Sequence, residues 1–152
     1  MSEYVTFELA GRAYATRIAH VREVVRLAEL ATLPGLVPPV AGVLDLRGVS
    51  LPVIDIRPDS SARGDVIVLA TDDAEFGFVC DAVTSVSDEQ TLVPEESRTA
   101  AGGVLPDYVE LVLRGSTGAV FLVDLRKMAG ENAMRQLAAT DATDSAAGVA
   151  PA

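Results

Sequence analysis

The sequence predicts a mainly β protein: two pseudo-repeated, five-stranded barrel subdomains packed together, with one or two short helices. Three observations carry this. Apolar residues alternate, or run in short blocks of Val, Leu and Ile, across most of the 152 residues, which is the pattern of strands. Three motifs recur in the same order in both halves. The chain is 49% hydrophobic yet holds only three Tyr and four Phe, so the core must be built from close-packed aliphatic side chains.

Taken in order, "YVTFEL" from Tyr4 to Leu9 alternates as a half-buried strand does, and "DVIVLA" from Asp65 to Ala70 is a fully buried one. Between them, "IAHVREVVR" predicts a short helix with Ile18, Val21, Val24 and Val25 on one stripe and His20, Arg22, Glu23 and Arg26 facing outward. Leu125 to Ala139 has helix-forming composition interrupted by Gly130, and "TDATDSAAGVAPA" after it is a small, polar tail expected to be disordered. Cys80 follows an apolar run, so a buried, unreactive thiol is expected.

The repeat sets the organisation. "YATRIAHVREV" from Tyr14 parallels "FGFVCDAVTSV" from Phe76, with Val21 on Val83 and Val24 on Val86. "LRG" at Leu46 recurs at Leu113, and "VIDIR" at Val53 recurs as "LVDLR" at Leu122. Each unit then holds about five short strands, which bury their apolar faces best by curling into a small barrel. The expected boundaries are one folded domain over 1–130, with a first barrel over about 10–62, a second over 63–128 and a first strand that both could share. Residues 131–152 are left as a helix remnant and tail, and "PDSSARGD" from Pro58 to Asp65 as the linker between the barrels.

"GVLDLRGVSLPVIDIR" from Gly42 to Arg57 reads as a hairpin. A turn centred on Gly48 and Val49 would set Leu46 against Leu51 and Leu44 against Val53 on an apolar face. Asp45 and Arg47, two residues apart at about 7 Å, then project together from the opposite face, close enough for Asp45 to hold the guanidinium. Asp55 falls on the apolar side near its strand end, where backbone amides are its expected partners. Pro52 donates no ladder bond, which places its strand at an edge or a bulge.

Several function classes are excluded. A net charge of −10 with twelve scattered Lys and Arg does not suit nucleic acid or an anionic membrane. No stretch approaches the ~20 apolar residues of a membrane span, and the opening Met1-Ser2-Glu3 is not a signal peptide, so a cytoplasmic protein is expected. Asp45 and Asp55 leave opposite faces of the hairpin and cannot act as a dyad. His20, the sole histidine, sits on a polar face with no nucleophile elbow in the sequence. One His and one Cys offer no metal-ligand spacing, and the Gly-rich "AAGGV" at Ala100 lacks the Lys and Ser or Thr of a phosphate loop. No enzyme, metal or cofactor is expected.

With those residues set out, the pattern resembles a known family, the CheW-like adaptors of chemosensory systems, and the related regulatory domain of the histidine kinase CheA. The family hairpin, roughly Gly-Val-hydrophobic-Asn-Leu-Arg-Gly and then Pro-hydrophobic-hydrophobic-Asp-Leu-Arg, is matched by "GVLDLRG" and "LPVIDIR". "GFVCDAVTSV" matches a later family segment, and the similarity runs from about Tyr4 to Met128. The resemblance implies two Src-homology-3-like barrels and a non-catalytic scaffold joining the cytoplasmic tip of methyl-accepting chemoreceptors to CheA, recruited to membrane-associated receptor arrays. It implies a receptor contact at Arg47, Gly42, Val21, Glu23, Val86 and Asp45, and a kinase contact on an apolar barrel end at Val37, Val40, Val43 and Ile54. Two departures stand out: the usual Asn is Asp45, and "PDSSARGD" replaces a longer helix and loop. Alternatives are a homologue that binds only one of these partners, or a small-molecule sensor using a pocket between the barrels.

Overall fold

The computed structural model describes residues 3–58, 63–70, 75–88, 93–94, 105–115, 118–131 and 133–137. They form the strands β1 (Glu3–Leu9), β2 (Arg12–Arg17), β3 (Val21–Arg26), β4 (Val40–Leu46), β5 (Val49–Ile54), β6 (Asp65–Ala70), β7 (Glu75–Cys80), β8 (Ala82–Asp88), β9 (Val93–Pro94), β10 (Val109–Gly115) and β11 (Gly118–Val123). A 3-10 turn at Ile18–His20 and the short helix α1 (Leu125–Ala129) complete the regular elements, with further helical residues at 131 and 133–137. The "AAGGV" loop, residues 59–62 of the linker and the tail from residue 138 lie outside the described residues.

The strands fall into a six-stranded sheet, β8-β1-β2-β11-β10-β9, and a five-stranded sheet, β3-β6-β7-β5-β4. The repeat is present, but its spatial units are not its sequence units. Hairpin β1–β2 pairs with β8 and β11 of the second half, while the corresponding hairpin β6–β7 pairs with β3 and β5 of the first. β2 runs parallel to β11 as β7 runs parallel to β5, so the two halves exchange their opening hairpins under a pseudo-two-fold relation. A division at residues 62 and 63 therefore does not follow the sheets. Local details repeat as well: Asp55 N–H donates to Pro39 O and Asp124 N–H to Tyr108 O, both at 2.9 Å.

Both faces of the central strands are buried, which is why they read as continuous apolar runs. On β5, β6 and β7, Leu51, Val53, Val66, Val68 and Val79 fill the interior of the five-stranded barrel. Their alternates, Ile54, Ile67, Leu69, Phe76, Phe78 and Cys80, join Phe7, Leu9, Tyr14 and Val123 in a core shared between the sheets. Tyr4, Ala15, Leu113, Val120 and Leu122 fill the second barrel. The shared core also takes Leu125, Ala129, Ala133 and Leu137, so the folded domain continues past residue 130 through the C-terminal helical residues.

Gly77 leaves no room for a side chain inside the five-stranded barrel. A Cβ there would stand 2.5 Å from Val66 Cγ1 and 3.3 Å from Val53 Cγ2. Gly77→Ala is expected to cost about 1–3 kcal/mol of stability through overpacking, measured as a lower denaturant midpoint at unchanged slope. Cys80 is buried, with its Sγ–H donating to Asp65 O at 3.6 Å. Burial, reinforced by the nearby Asp65 carboxylate, pushes the thiol up to about 12. A thiol reagent at pH 8 should leave the native protein unmodified and label Cys80 only on unfolding.

Three local expectations are corrected. Residues 18–26 are one 3-10 turn followed by strand β3, not a helix, because Val21, Glu23 and Val25 alternate with the exposed Arg22, Val24 and Arg26 as β3 pairs with β6. The β4–β5 turn is the two-residue Arg47-Gly48, with Leu46 opposite Val49 and Leu44 opposite Leu51. The paired-position sum is shifted by two, which preserves the faces of the strand residues but moves Arg47 out of the strand and into the turn. Pro52 lies on an interior strand: β5 meets β7 only at Val53 and Ile54, one residue beyond it, and a ladder irregularity falls on β4 between Val40 and Gly42.

Candidate functional site

β3 and β4 are the outer strands of the five-stranded sheet, yet Arg47 at the β4–β5 turn reaches Glu23 on β3. The guanidinium makes a fork: Nη1–H donates to Glu23 Oε1 at 3.0 Å and Nη2–H to Oε2. The sheet has curled until its two edges meet, and this pair ties the seam. The hydrogen bond from Arg47 holds the Glu23 carboxyl below the usual carboxylate range, and the same bond raises the Arg47 guanidinium. Alongside, Arg22 Nη1–H donates to Glu75 Oε1 at 2.9 Å, so two arginines and two glutamates form one exposed patch. The Arg47 side chain is 66% exposed and Glu23 26%, leaving the outer edge of the guanidinium free to meet a partner surface.

Asp45 does not hold Arg47. Its Oδ1 accepts the Gly48 N–H at 3.0 Å, inside the turn. Nor is Gly42 a surface residue: it is buried, and a Cβ there would stand 2.7 Å from Ala31 O and 3.0 Å from Leu30 Cβ. Ala31 exchanges two hydrogen bonds with Val43, covering the outer edge of β4, and the missing side chain at Gly42 lets that segment approach. Val21 is half-buried at the start of β3 against the shared core. Val86, 61% exposed, belongs to β8 of the other sheet, opposite Val5. The structure thus brings together Arg47 and Glu23 with Val21 on the same strand, and puts Asp45 and Gly42 in supporting positions.

The expected apolar barrel end is mostly inside. Val40 and Ile54 belong to the shared core and Val43, paired edge to edge with Ala31, is buried as well, so these three offer little open apolar surface. Of the four, Val37 alone is exposed, at 57%, with Leu33 also exposed in the same loop, beside a groove of about 410 Å³ lined by Leu33, Leu36, Pro38, Pro39, Val40 and Asp55, among others. Gln136 of the C-terminal helical segment steadies this loop by accepting the Val37 N–H at 3.0 Å.

Between the sheets a cavity of about 400 Å³ is lined by Thr16, Arg17, His20, Leu69, Glu110 and Arg126, among others. Arg17 and Glu110 pair within it at 3.2 Å, and His20 is exposed at the end of the 3-10 turn. Among the described residues no group of three or more His, Cys, Asp and Glu is arranged to hold a metal ion, and no helix is long and apolar enough to cross a membrane.

Sequence reasoning missed a buried charge just beyond the C-terminal end of β5. Arg57 is 6% exposed and forks onto Asp55, with Nε–H to Oδ1 at 3.0 Å and Nη2–H to Oδ2 at 2.9 Å. It also donates to Arg63 O and lies 3.8 Å from Asp81, whose other oxygen accepts the Ala10 N–H. Asp55 does take a backbone amide, that of Arg57, as expected. The i to i+2 spacing of Asp55 and Arg57 was the available signal.

Comparison with known proteins agrees with this architecture. The CheW-like domain model matches residues 3–133. The chain is 30% identical over 130 residues to the chemotaxis protein CheW of Bacillus subtilis, covering 79% of this chain and 81% of that one. It is 24% identical over 150 residues to the chemotaxis protein CheW of Treponema pallidum, covering 90% and 86%. Among solved structures, the scaffolding protein TtCheW from Thermoanaerobacter tengcongensis superposes with a TM-score of 0.64 at 25% identity, over 82% of this chain and 84% of that one. With two curled sheets related by a pseudo-two-fold, the hairpin arginine at an exposed turn and a domain match over nearly its whole length, this chain belongs to the CheW-like family.

Proposed function

We propose that the protein is a non-catalytic chemosensory adaptor that couples the cytoplasmic tips of chemoreceptors to the histidine kinase CheA, working in the cytoplasm at receptor arrays. The observation that carries this reading is the Arg47–Glu23 fork at the seam of the five-stranded barrel. Held at a fixed angle with one edge outward, the guanidinium is ready to donate to a carboxylate or a helix-end carbonyl without further loss of rotamer freedom. Receptor tips are helical and polar, which suits a charged contact flanked by aliphatic surface such as Val21 and the exposed Val86. Val37, with Leu33 near it, supplies the apolar contact for the kinase regulatory domain. Both contacts are small, and an array compensates by multivalency.

Arg47→Glu sets a carboxylate against Glu23 and presents the wrong charge outward. Its affinity for a receptor-tip fragment should fall by about 100-fold or more, with circular dichroism unchanged and the unfolding midpoint lowered only slightly, because an exposed ion pair contributes about 0–1 kcal/mol. Titration calorimetry against the same fragment checks this. Binding at wild-type strength would remove Arg47, and the reading built on it, from consideration.

A further inference from the structure

Among the described residues only Ala10 and Arg47 are non-glycine residues with positive φ, both at 51°. Each opens a two-residue hairpin turn completed by a glycine, Gly11 at 78° or Gly48 at 82°. Such turns require positive φ at both central positions, which Gly, Asn and Asp adopt readily and Ala and Arg do not. In both turns a carboxylate oxygen accepts a turn amide. Asp81 Oδ2 accepts the Ala10 N–H at 2.8 Å and Asp45 Oδ1 the Gly48 N–H at 3.0 Å.

The second repeat supplies an internal control. Leu113-Arg114-Gly115 repeats Leu46-Arg47-Gly48, but Val112 stands where Asp45 does. There Arg114 pairs with Ala119 and Gly115 with Gly118 inside the ladder, so the arginine is an ordinary strand residue without positive φ. The same tripeptide makes a tight turn where Asp45 precedes it and continues the strand where Val112 does.

We propose that Asp45 is a positioning residue for Arg47. By holding the Gly48 amide, its carboxylate keeps the strained turn closed, which aims the Arg47 guanidinium at Glu23 and presents its outer edge to a carboxylate or carbonyl of the partner. Asp45 itself does not touch the partner. The inference rests on the reading of Arg47 as a receptor contact for its functional consequence, and on the turn geometry alone for its structural one.

The test compares the full-length chain with Asp45→Ala and Asp45→Asn, reading hydrogen exchange at the Gly48 amide, the Arg47 side-chain NMR shifts and affinity for the receptor-tip fragment. Asp45→Ala should exchange Gly48 about tenfold faster and bind about tenfold more weakly, as the competent turn becomes a minority state, with the fold intact and the unfolding midpoint lowered only by the loss of one exposed hydrogen bond. Asp45→Asn, whose side-chain oxygen also accepts, should restore all three readouts. Unchanged Gly48 exchange in Asp45→Ala overturns the proposal. So does wild-type affinity in Asp45→Ala while Arg47→Glu loses binding, an outcome that leaves the adaptor reading standing. Restored exchange without restored binding in Asp45→Asn overturns it too, by showing that the charge of Asp45 meets the partner. If the wild-type chain binds no receptor tip, the adaptor reading fails, and Gly48 exchange with the Arg47 shifts still decides whether Asp45 positions the turn.

Discussion

Arg57→Leu is expected to lower the free energy of unfolding by about 3 kcal/mol or more. The substitution keeps bulk but leaves the Asp55 carboxylate, whose side chain is only 9% exposed, without its bidentate partner. It also strips the Arg63 carbonyl of a donor beside Gly64, where the chain is packed so closely that an added Cβ would stand 2.5 Å from Cys80 O. An uncompensated buried charge costs far more than the pair contributes, so the double variant Asp55→Leu/Arg57→Leu should recover much of the loss. What remains missing is the acceptor for the Arg57 N–H, which Asp55 supplies at 3.0 Å. Urea unfolding of the three proteins measures both differences. Equal stability of Arg57→Leu and wild type would mean that the pair is solvated in solution.

Phe78→Ala should cost about 4 kcal/mol, mainly by leaving a cavity in the shared core. Phe78 is fully buried on β7, opposite Ile67 on one side and Ile54 on the other, and meets the Phe7 ring edge-on at a centroid distance of 6.4 Å. Phe7 comes from the hairpin donated to the other sheet, so the contact joins the two barrels rather than strands of one. The loss should therefore appear as a single cooperative transition at lower denaturant, with the barrels unfolding together. Two separated transitions would show that the shared core is not what unites them.

Much of the fold was legible because period-two patterning and internal recurrence report directly on strands. The face assignment of the hairpin survived an error of two residues in the turn, since side-chain direction depends only on parity. The exchange of hairpins was not legible. Recurrence says that Tyr14 resembles Phe76, but not whether β2 completes the sheet of its own half or of the other. The helix expected at 18–26 failed because Val21, Val24 and Val25 fit a helical stripe as well as Val21, Glu23 and Val25 fit a strand, in a segment too short to separate the periods.

Residues of the candidate site could be named from the sequence, but the contacts they make in the structure could not. Arg47 and Glu23 were both named, yet their pairing spans 24 residues and opposite sheet edges, so it required barrel closure to be known. Asp45 was assigned to its nearest cation because strand geometry placed them on one face, whereas a two-residue turn takes Arg47 out of the strand altogether. Val40, Val43 and Ile54 looked like an exposed apolar end only while the second face of the hairpin was taken to be open. The shared core and the Ala31 bridge close it.

The adaptor reading rests on one chain holding two partners through separate surfaces. The direct measurement is size-exclusion analysis of a mixture of this protein, a receptor-tip fragment and the CheA regulatory domain. Wild type should elute as one complex containing all three, Arg47→Glu should retain only the kinase domain, and Val37→Lys only the receptor fragment. A wild-type chain that assembles with just one partner, or with neither, would contradict the account.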